Sequence, residues 1–97
     1  MIYFKIHEQQ GEKLVAACDR EIMGKTISQG VIEFKVDKRF YGDTLINVKD
    51  FTALLKDATS ANLMGNKVVD AAIECGLVDR DCVLEVAGIK HAQIVVI

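Results

Sequence analysis

The sequence predicts an α+β fold, and two observations lead to this expectation. Residues 47–78 form the only long stretch whose apolar residues recur at helical spacing. The segments on either side of it alternate apolar and polar residues over short lengths, a pattern typical of β-strands. We therefore expect a single mixed or antiparallel sheet, built from N- and C-terminal strands, with a central helix pair packed on one face.

Size and composition narrow the class of protein. The 97 residues, 51% of them hydrophobic and 27% charged, are expected to form a single domain spanning residues 1–97. Twelve basic against fourteen acidic residues give a net charge of −2, which argues against a protein that mainly grips a phosphate backbone. The N-terminal sequence does not read as a signal peptide, and no apolar run is long enough to span a membrane. We expect a cytoplasmic protein without a cofactor.

The cysteines and histidines predict no metal site. Cys18, Cys75 and Cys82 form no CxxC pair, and neither histidine shares a ligand spacing with them. A nucleophile pair of Cys18 with His91 stays open, because the sequence does not fix the distance between them. A cysteine in an apolar strand is more often a small buried hydrophobe.

Short strands are expected in the N-terminal half. Residues 2–7 and 14–18 are extended runs around a polar turn, which indicates a β-hairpin. Asp19 stands in the N-cap position of a helical turn that Gly24 ends. Residues 31–36 alternate in polarity and predict a half-buried strand.

Two helices are expected in the middle of the chain. Asn47 is placed as an N-cap, with Asp50 in the position of a capping-box acid. The buried stripe of this first helix consists of Phe51, Leu54, Leu55 and Ala58. A second helix is expected to restart near Thr59, to carry its apolar face over residues 61–73, and to end at Gly76.

The C-terminal segment predicts two more strands, residues 83–86 and residues 91–97. The last four residues are apolar on both faces of a strand. Because an exposed edge of that composition would aggregate, we expect this strand to be central in the sheet or to lie in a subunit interface.

His91 and Gln93 are the strongest candidate site residues. Two residues apart in a strand, they point to the same face and place a titratable group beside an amide. In a functional site His91 would act as an acid, a base or a ligand-binding donor, with Gln93 orienting it. The alternative is a structural histidine hydrogen-bonded to the backbone, which is the commoner situation for a lone histidine.

Asn62 is the second candidate. In a helix interior it costs helix propensity relative to alanine or leucine, so we expect it to cap a backbone group or to contact a partner. Gly65 is explained more simply by close packing. We expect residues 62–66 to form one wall of any site and residues 91–93 to lie opposite.

Lys25, Arg39 and Tyr41 belong to the only group of basic and aromatic residues. The other members are Lys35, Lys38 and Phe40. Such a group can hold RNA by charge and stacking. The alternative, which the negative net charge favours, is a solvated turn whose aromatic side chains tuck under the helices.

Taken in order, these motifs resemble a small archaeal family of domains of unknown function, family 424. The resemblance rests on residues 14–19, 24–26, 40–42, 61–65, 74–78 and 91–93. It extends over essentially the whole chain, and one departure is Lys90, where the family pattern would favour proline. The resemblance implies an archaeal cytosolic protein associated with translation, and it supplies no reaction and no catalytic residues.

The sequence therefore favours a non-enzymatic binding module for a protein or ribonucleoprotein partner. One alternative is a small enzyme or metabolite binder that uses His91, Gln93 and Asn62. Another is a homodimer formed through the C-terminal strand. If Asn62, Lys25, Tyr41 and His91 converged on one face, packing alone would not explain it, because these residues are far apart in sequence.

Overall fold

The computed structural model describes residues 1–95. Short 3-10 turns occupy Arg20–Ile22 and Arg80–Cys82. The helices and strands follow in the order β1 (Ile2–Gln9), β2 (Glu12–Asp19), β3 (Thr26–Gln29), β4 (Ile32–Lys35), α1 (Lys38–Tyr41), β5 (Thr44–Ile46), α2 (Val48–Leu55), β6 (Ser60–Met64), α3 (Asn66–Glu74), β7 (Leu84–Val86) and β8 (Ile89–Val95).

Within residues 1–95 a mixed sheet of six strands has the order β5-β1-β2-β6-β8-β7, and we call it the main sheet. Strands β2 and β6 are parallel, and its other neighbouring strands are antiparallel. The α+β class, the mixed sheet and the N-terminal hairpin are thus confirmed. The expectation of a single sheet is wrong, because β3 and β4 form a separate two-stranded hairpin. Val36 closes the base of this hairpin through backbone hydrogen bonds to Gly24 and Lys25.

The expected start of the second helix is also wrong. Ser60–Met64 is the strand β6, inserted between β2 and β8, and α3 begins only at Asn66. Ala61 and Leu63 are buried on one face of this strand and Met64 on the other. A short apolar run buried on both faces cannot be distinguished from a helix by periodicity, which explains the error.

Apolar cores lie on both faces of the main sheet. On one face α2 and α3 pack side by side, so the expected helix pair is confirmed in part, with a second helix that is shorter than expected. The side chains of this core include Phe51, Leu55, Val68, Val69 and Ala72 from the helices and Val15, Ala17, Leu63 and Ala92 from the strands. On the other face, α1, the β3–β4 hairpin and the first 3-10 turn cover a smaller core of Ala16, Cys18, Ile22, Val36, Tyr41 and Met64.

Asp19 caps a different helix from the expected one. It precedes the turn Arg20–Ile22, but its side chain makes no cap hydrogen bond there. Its carboxylate accepts instead from the backbone N–H groups of Lys67 and Val68, both at 2.9 Å, in the first turn of α3. Gly65 makes this approach possible, because a Cβ at that position would lie 2.6 Å from Asp19 Oδ1.

Strand β8 lies between β6 and β7, but β7 pairs only with its first part, Ile89–His91. The expected central position holds for that part, whereas within residues 1–95 Ile94 and Val95 pair only with β6, and the alternative of a subunit interface stays a prediction. Val96 and Ile97, the end of the expected strand, lie outside the described residues. Among residues 1–95 no helix is long and apolar enough to cross a membrane.

Candidate functional site

The face of the main sheet opposite α2 and α3 carries the central candidate residues in cross-strand rows. In one row Asn62 of β6 lies between Ala16 and Gln93. In the next row Met64 lies between Cys18 and His91. Residues 62–66 and 91–93 are therefore not opposite walls of a site, as expected, because their strands are hydrogen-bonded neighbours on one surface.

Burial changes from row to row along this face. The row of Cys18, Met64 and His91 lies under the hairpin layer and is buried. Beyond it, the sheet is uncovered over a patch that we call the open face. The open face consists of the half-buried Leu14, Ser60 and Asn62 and the exposed Gln93 and Val95, and His7 borders it beneath Phe40.

Tyr41 fixes Asn62 at the boundary of the open face. The Tyr41 hydroxyl donates to Asn62 Oδ1 at 2.7 Å. Ala16, directly beside Asn62 in the row, is small enough to let the ring of Tyr41 pack over it. Burial raises the pKa of Tyr41 to about 12, so the hydroxyl remains a donor. With Oδ1 engaged, the amide NH₂ of Asn62 is the group that remains to donate to a partner.

His91 is in the state expected of a structural histidine. Its Nδ1 lies 2.9 Å from the carbonyl oxygen of Leu63, and its ring packs on Phe34 with a centroid distance of 4.7 Å. Burial lowers the pKa of His91 below 6.5, which favours the neutral ring donating from Nδ1–H. His91 and Gln93 together line a shallow cavity of about 360 Å³ that Asn62 does not line.

The geometry does not support a Cys18–His91 nucleophile pair. The two residues occupy the same row with Met64 between them, which separates their strands by about 10 Å. Burial also raises the pKa of the Cys18 thiol to about 12, so the thiolate is strongly disfavoured.

The residues of the basic and aromatic group lie in separate parts of the structure. Phe40 stacks on His7 at 5.0 Å and meets Tyr41 edge-on at 4.9 Å, so these aromatic side chains pack on the main sheet rather than under the helices. The exposed Lys25 lies at the base of the hairpin. Arg39 lines a cleft at the β1 edge. Tyr41, Asn62, Gln93 and His91 thus share one sheet face, and no side-chain hydrogen bond within residues 1–95 joins Lys25 or Arg39 to them.

Sequence reasoning missed Lys5 and His7, which hold α1 against the sheet. Lys5 Nζ donates to the carbonyl of Arg39 at 3.0 Å, and His7 Nε2 lies 2.8 Å from the carbonyl of Phe40. The alternation of residues 2–7 places both side chains on one face and was available as a signal. Their partner, a four-residue helix, was not. Within residues 1–95 no group of three His, Cys, Asp or Glu side chains is placed to hold a metal ion.

The fold and this surface define a small α+β protein whose mixed sheet is covered by helices on one face and partly open on the other. The chain belongs to the family described as protein of unknown function DUF424, whose model matches residues 7–97. The resemblance inferred from the sequence motifs is confirmed.

A solved structure shows the same fold. It is described as the crystal structure of an uncharacterized conserved protein from Methanopyrus kandleri, and it is similar with a TM-score of 0.78. The sequences are 18% identical, and the match covers 96% of this chain and 89% of that chain. No curated protein matched the sequence.

Proposed function

We propose that the protein is a non-enzymatic binding module that docks on a protein or ribonucleoprotein partner through the open face. The observation that carries this proposal is a sheet surface left uncovered beside a packed layer. Val95 is 74% exposed and Gln93 is exposed, while Tyr41 holds the amide of Asn62 in place. A surface that combines apolar side chains with positioned amides is suited to a macromolecular partner.

The two residues with the most reactive groups support a binding role over a catalytic one. Cys18 is buried as a thiol whose pKa is about 12. His91 uses Nδ1 on the Leu63 carbonyl, and burial lowers its pKa. Neither residue is in the state that an acid–base catalyst or a nucleophile with a pKa matched to neutral pH requires.

Site-specific photo-cross-linking tests the proposal. A photoreactive residue replaces Gln93 on the open face in one variant and Val31 at the tip of the β3–β4 hairpin in the other. Both positions are exposed, so accidental collisions label them comparably. In a native archaeal lysate we expect a discrete adduct from position 93 that excess unlabelled protein competes away, and no such adduct from position 31.

Equal labelling from the two positions, or adducts that competition does not reduce, would count against the proposal. A further substitution, Gln93→Arg, should weaken the specific adduct formed from a photoreactive residue at position 95, because it places a charge beside Asn62. Unchanged labelling in that variant would count against a contact of the partner with the Asn62 and Gln93 row of the open face.

A second candidate function is the binding of a small metabolite in the cavity that His91 and Gln93 share. The observation that favours it is their joint lining of a space of about 360 Å³ together with Phe34 and Cys82. A thermal-shift screen against fractionated small molecules tests it. A compound bound there should stabilise the native protein but not the Gln93→Ala variant, and equal stabilisation of both would exclude this cavity.

A further inference from the structure

The outer edge of β1 is only partly used within the described residues. Strand β5 pairs with Ile2–Phe4, while β2 pairs with the inner edge of β1 along its full length. Residues 5–9 therefore have no strand partner on the outer side among residues 1–95. Such an edge presents unpaired backbone N–H and C=O groups to any extended chain that reaches it.

A cleft of about 700 Å³ runs along this edge between β1 and α1. Gly42, with φ +81°, closes one end, because a Cβ there would lie 2.9 Å from the Cβ of Lys5. Lys5 donates to the carbonyl of Arg39 and ties α1 to the strand. The cleft is thus a fixed feature of the packing between a strand and a short helix.

The α1 side of the cleft is basic in a protein of net charge −2. Lys5, Lys38 and Arg39 line it. Of the two acidic residues in the lining, Asp37 accepts from the backbone N–H of Arg39. Asp43 lies 3.9 Å from Lys38, and both of these side chains are about 70% exposed, so this ion pair holds the lysine weakly.

The other side of the same edge is apolar. Side chains alternate along β1, so Phe4 and Ile6 point toward the layer of α2 and α3 while Lys5 and His7 point toward α1. Ile6 is 37% exposed and Phe4 is half-buried, and both line the cleft. A strand added here would meet cations on one of its faces and apolar carbon on the other.

We infer that the β1 edge from Lys5 to Gln9 binds an extended acidic segment of a partner protein as an added strand. Alternate acidic side chains of that segment face Lys38 and Arg39, and the intervening apolar side chains pack on Phe4 and Ile6. Backbone hydrogen bonds to the edge supply affinity that does not depend on the register of the added strand. The alternation of acidic and apolar side chains in the segment supplies specificity. This inference rests on the proposed function and names the chemistry of the partner.

The probe is a synthetic peptide of about ten residues with alternating glutamate and valine. Its length corresponds to that of the longer strands in globular proteins. We titrate it into isotope-labelled protein and follow backbone amides by NMR. The expected result is saturable shifts in residues 5–9, with cross-strand contacts from the peptide to β1. The same peptide N-methylated at every residue should not bind, because neither of its edges has the N–H donors that a new strand needs.

A charge-reversal variant tests the basic α1 side of the cleft. Lys38→Glu with Arg39→Glu should weaken binding by about tenfold or more, because a favourable charge pattern becomes repulsive. The matched control is Lys49→Glu with Lys56→Glu. It changes the net charge equally at exposed positions in α2 and at its C-terminal end and should bind the peptide nearly as the native protein does.

Three results would overturn the inference. They are shifts that map away from residues 5–9, equal affinity for the N-methylated peptide, and preferential binding of an RNA oligonucleotide at the same lysines. If the peptide fails while position 93 still gives a competed protein adduct, the edge inference is wrong and the proposed function stands. If both fail, the proposed function is wrong as well.

Discussion

At the residue scale, Asp19 shows how one side chain joins two elements that are distant in the sequence. It is buried at the end of β2, and its two carboxylate oxygens accept separately from Lys67 and Val68. Burial raises the pKa of Asp19, and these two hydrogen bonds oppose the rise. The carboxylate therefore satisfies two N–H groups that the first turn of α3 would otherwise leave without an acceptor.

Asp19→Asn should destabilise the protein by about 1–3 kcal/mol, because an amide offers one acceptor and turns an NH₂ toward the second N–H donor. Chemical denaturation measures the change. The control is Glu21→Gln, which removes only an exposed ion pair with Lys67 and should have a much smaller effect. Equal losses in the two variants would show that the carboxylate does not cap α3.

His91 should make the free energy of unfolding depend on pH. Because burial lowers its pKa in the folded protein below 6.5, the unfolded chain takes up a proton first as the pH falls. The protein should therefore lose stability as the pH falls from 6.5 through the folded-state pKa.

His91→Asn isolates this effect, because its amide can still donate to the Leu63 carbonyl but cannot titrate. The wild-type protein should lose more stability than the variant between neutral and mildly acidic pH, measured by denaturation at a series of pH values. Parallel curves for the two proteins would mean that His91 is not held neutral by burial.

At the element scale, the turn between β6 and α3 decides the fold of the central segment. Helical periodicity predicted a second helix that starts near Thr59, whereas Gly65, at φ +123°, ends the strand and starts α3 beside Asp19. The identity of Gly65 could be read from the sequence. Its requirement for a positive φ and for an absent Cβ depends on Asp19, which lies 46 residues earlier in the chain.

Gly65→Ala should destabilise the protein more than Gly76→Ala. Both glycines have positive φ, so each alanine incurs a backbone cost, roughly 1–2 kcal/mol at Gly76 and roughly 1–3 kcal/mol at Gly65, whose conformation is almost restricted to glycine. Only the Cβ at position 65 would collide with Asp19, whereas the space around Gly76 is open. Thermal unfolding of the two variants measures the difference, and equal melting temperatures would contradict the close packing of Asp19 on Gly65.

At the scale of the whole molecule, the features with local causes could be predicted. The N-terminal hairpin, the Asn47 cap of α2 and the shared face of His91 and Gln93 follow from turn residues, capping and strand alternation. The position of β6 between β2 and β8 depends on pairing over long separations, which alternation does not specify.

The residues of the candidate site show the same difference between features with local causes and features that depend on long-range pairing. The sequence indicates Asn62 as a candidate because asparagine disfavours a helix interior. Its contacts with Tyr41 and with its row neighbour Gln93 depend on strand register, which the sequence does not specify. Lys25 and Arg39 were grouped with Tyr41 by sequence proximity, and folding places them in different parts of the covering layer. Residues that are close in the sequence do not have to be close in the structure when a turn and a short helix lie between them.

Hydroxyl-radical footprinting with a partner captured through position 93 tests whether the partner docks on the open face, because it reports the exposure of individual side chains. Leu14 and Val95 lie on the open face, while Val48 on α2 and Val31 on the hairpin tip are exposed reference positions. The bound partner should protect Leu14 and Val95 from oxidation and leave Val48 and Val31 unchanged. Protection of Val48 with none at Leu14 and Val95 would contradict it.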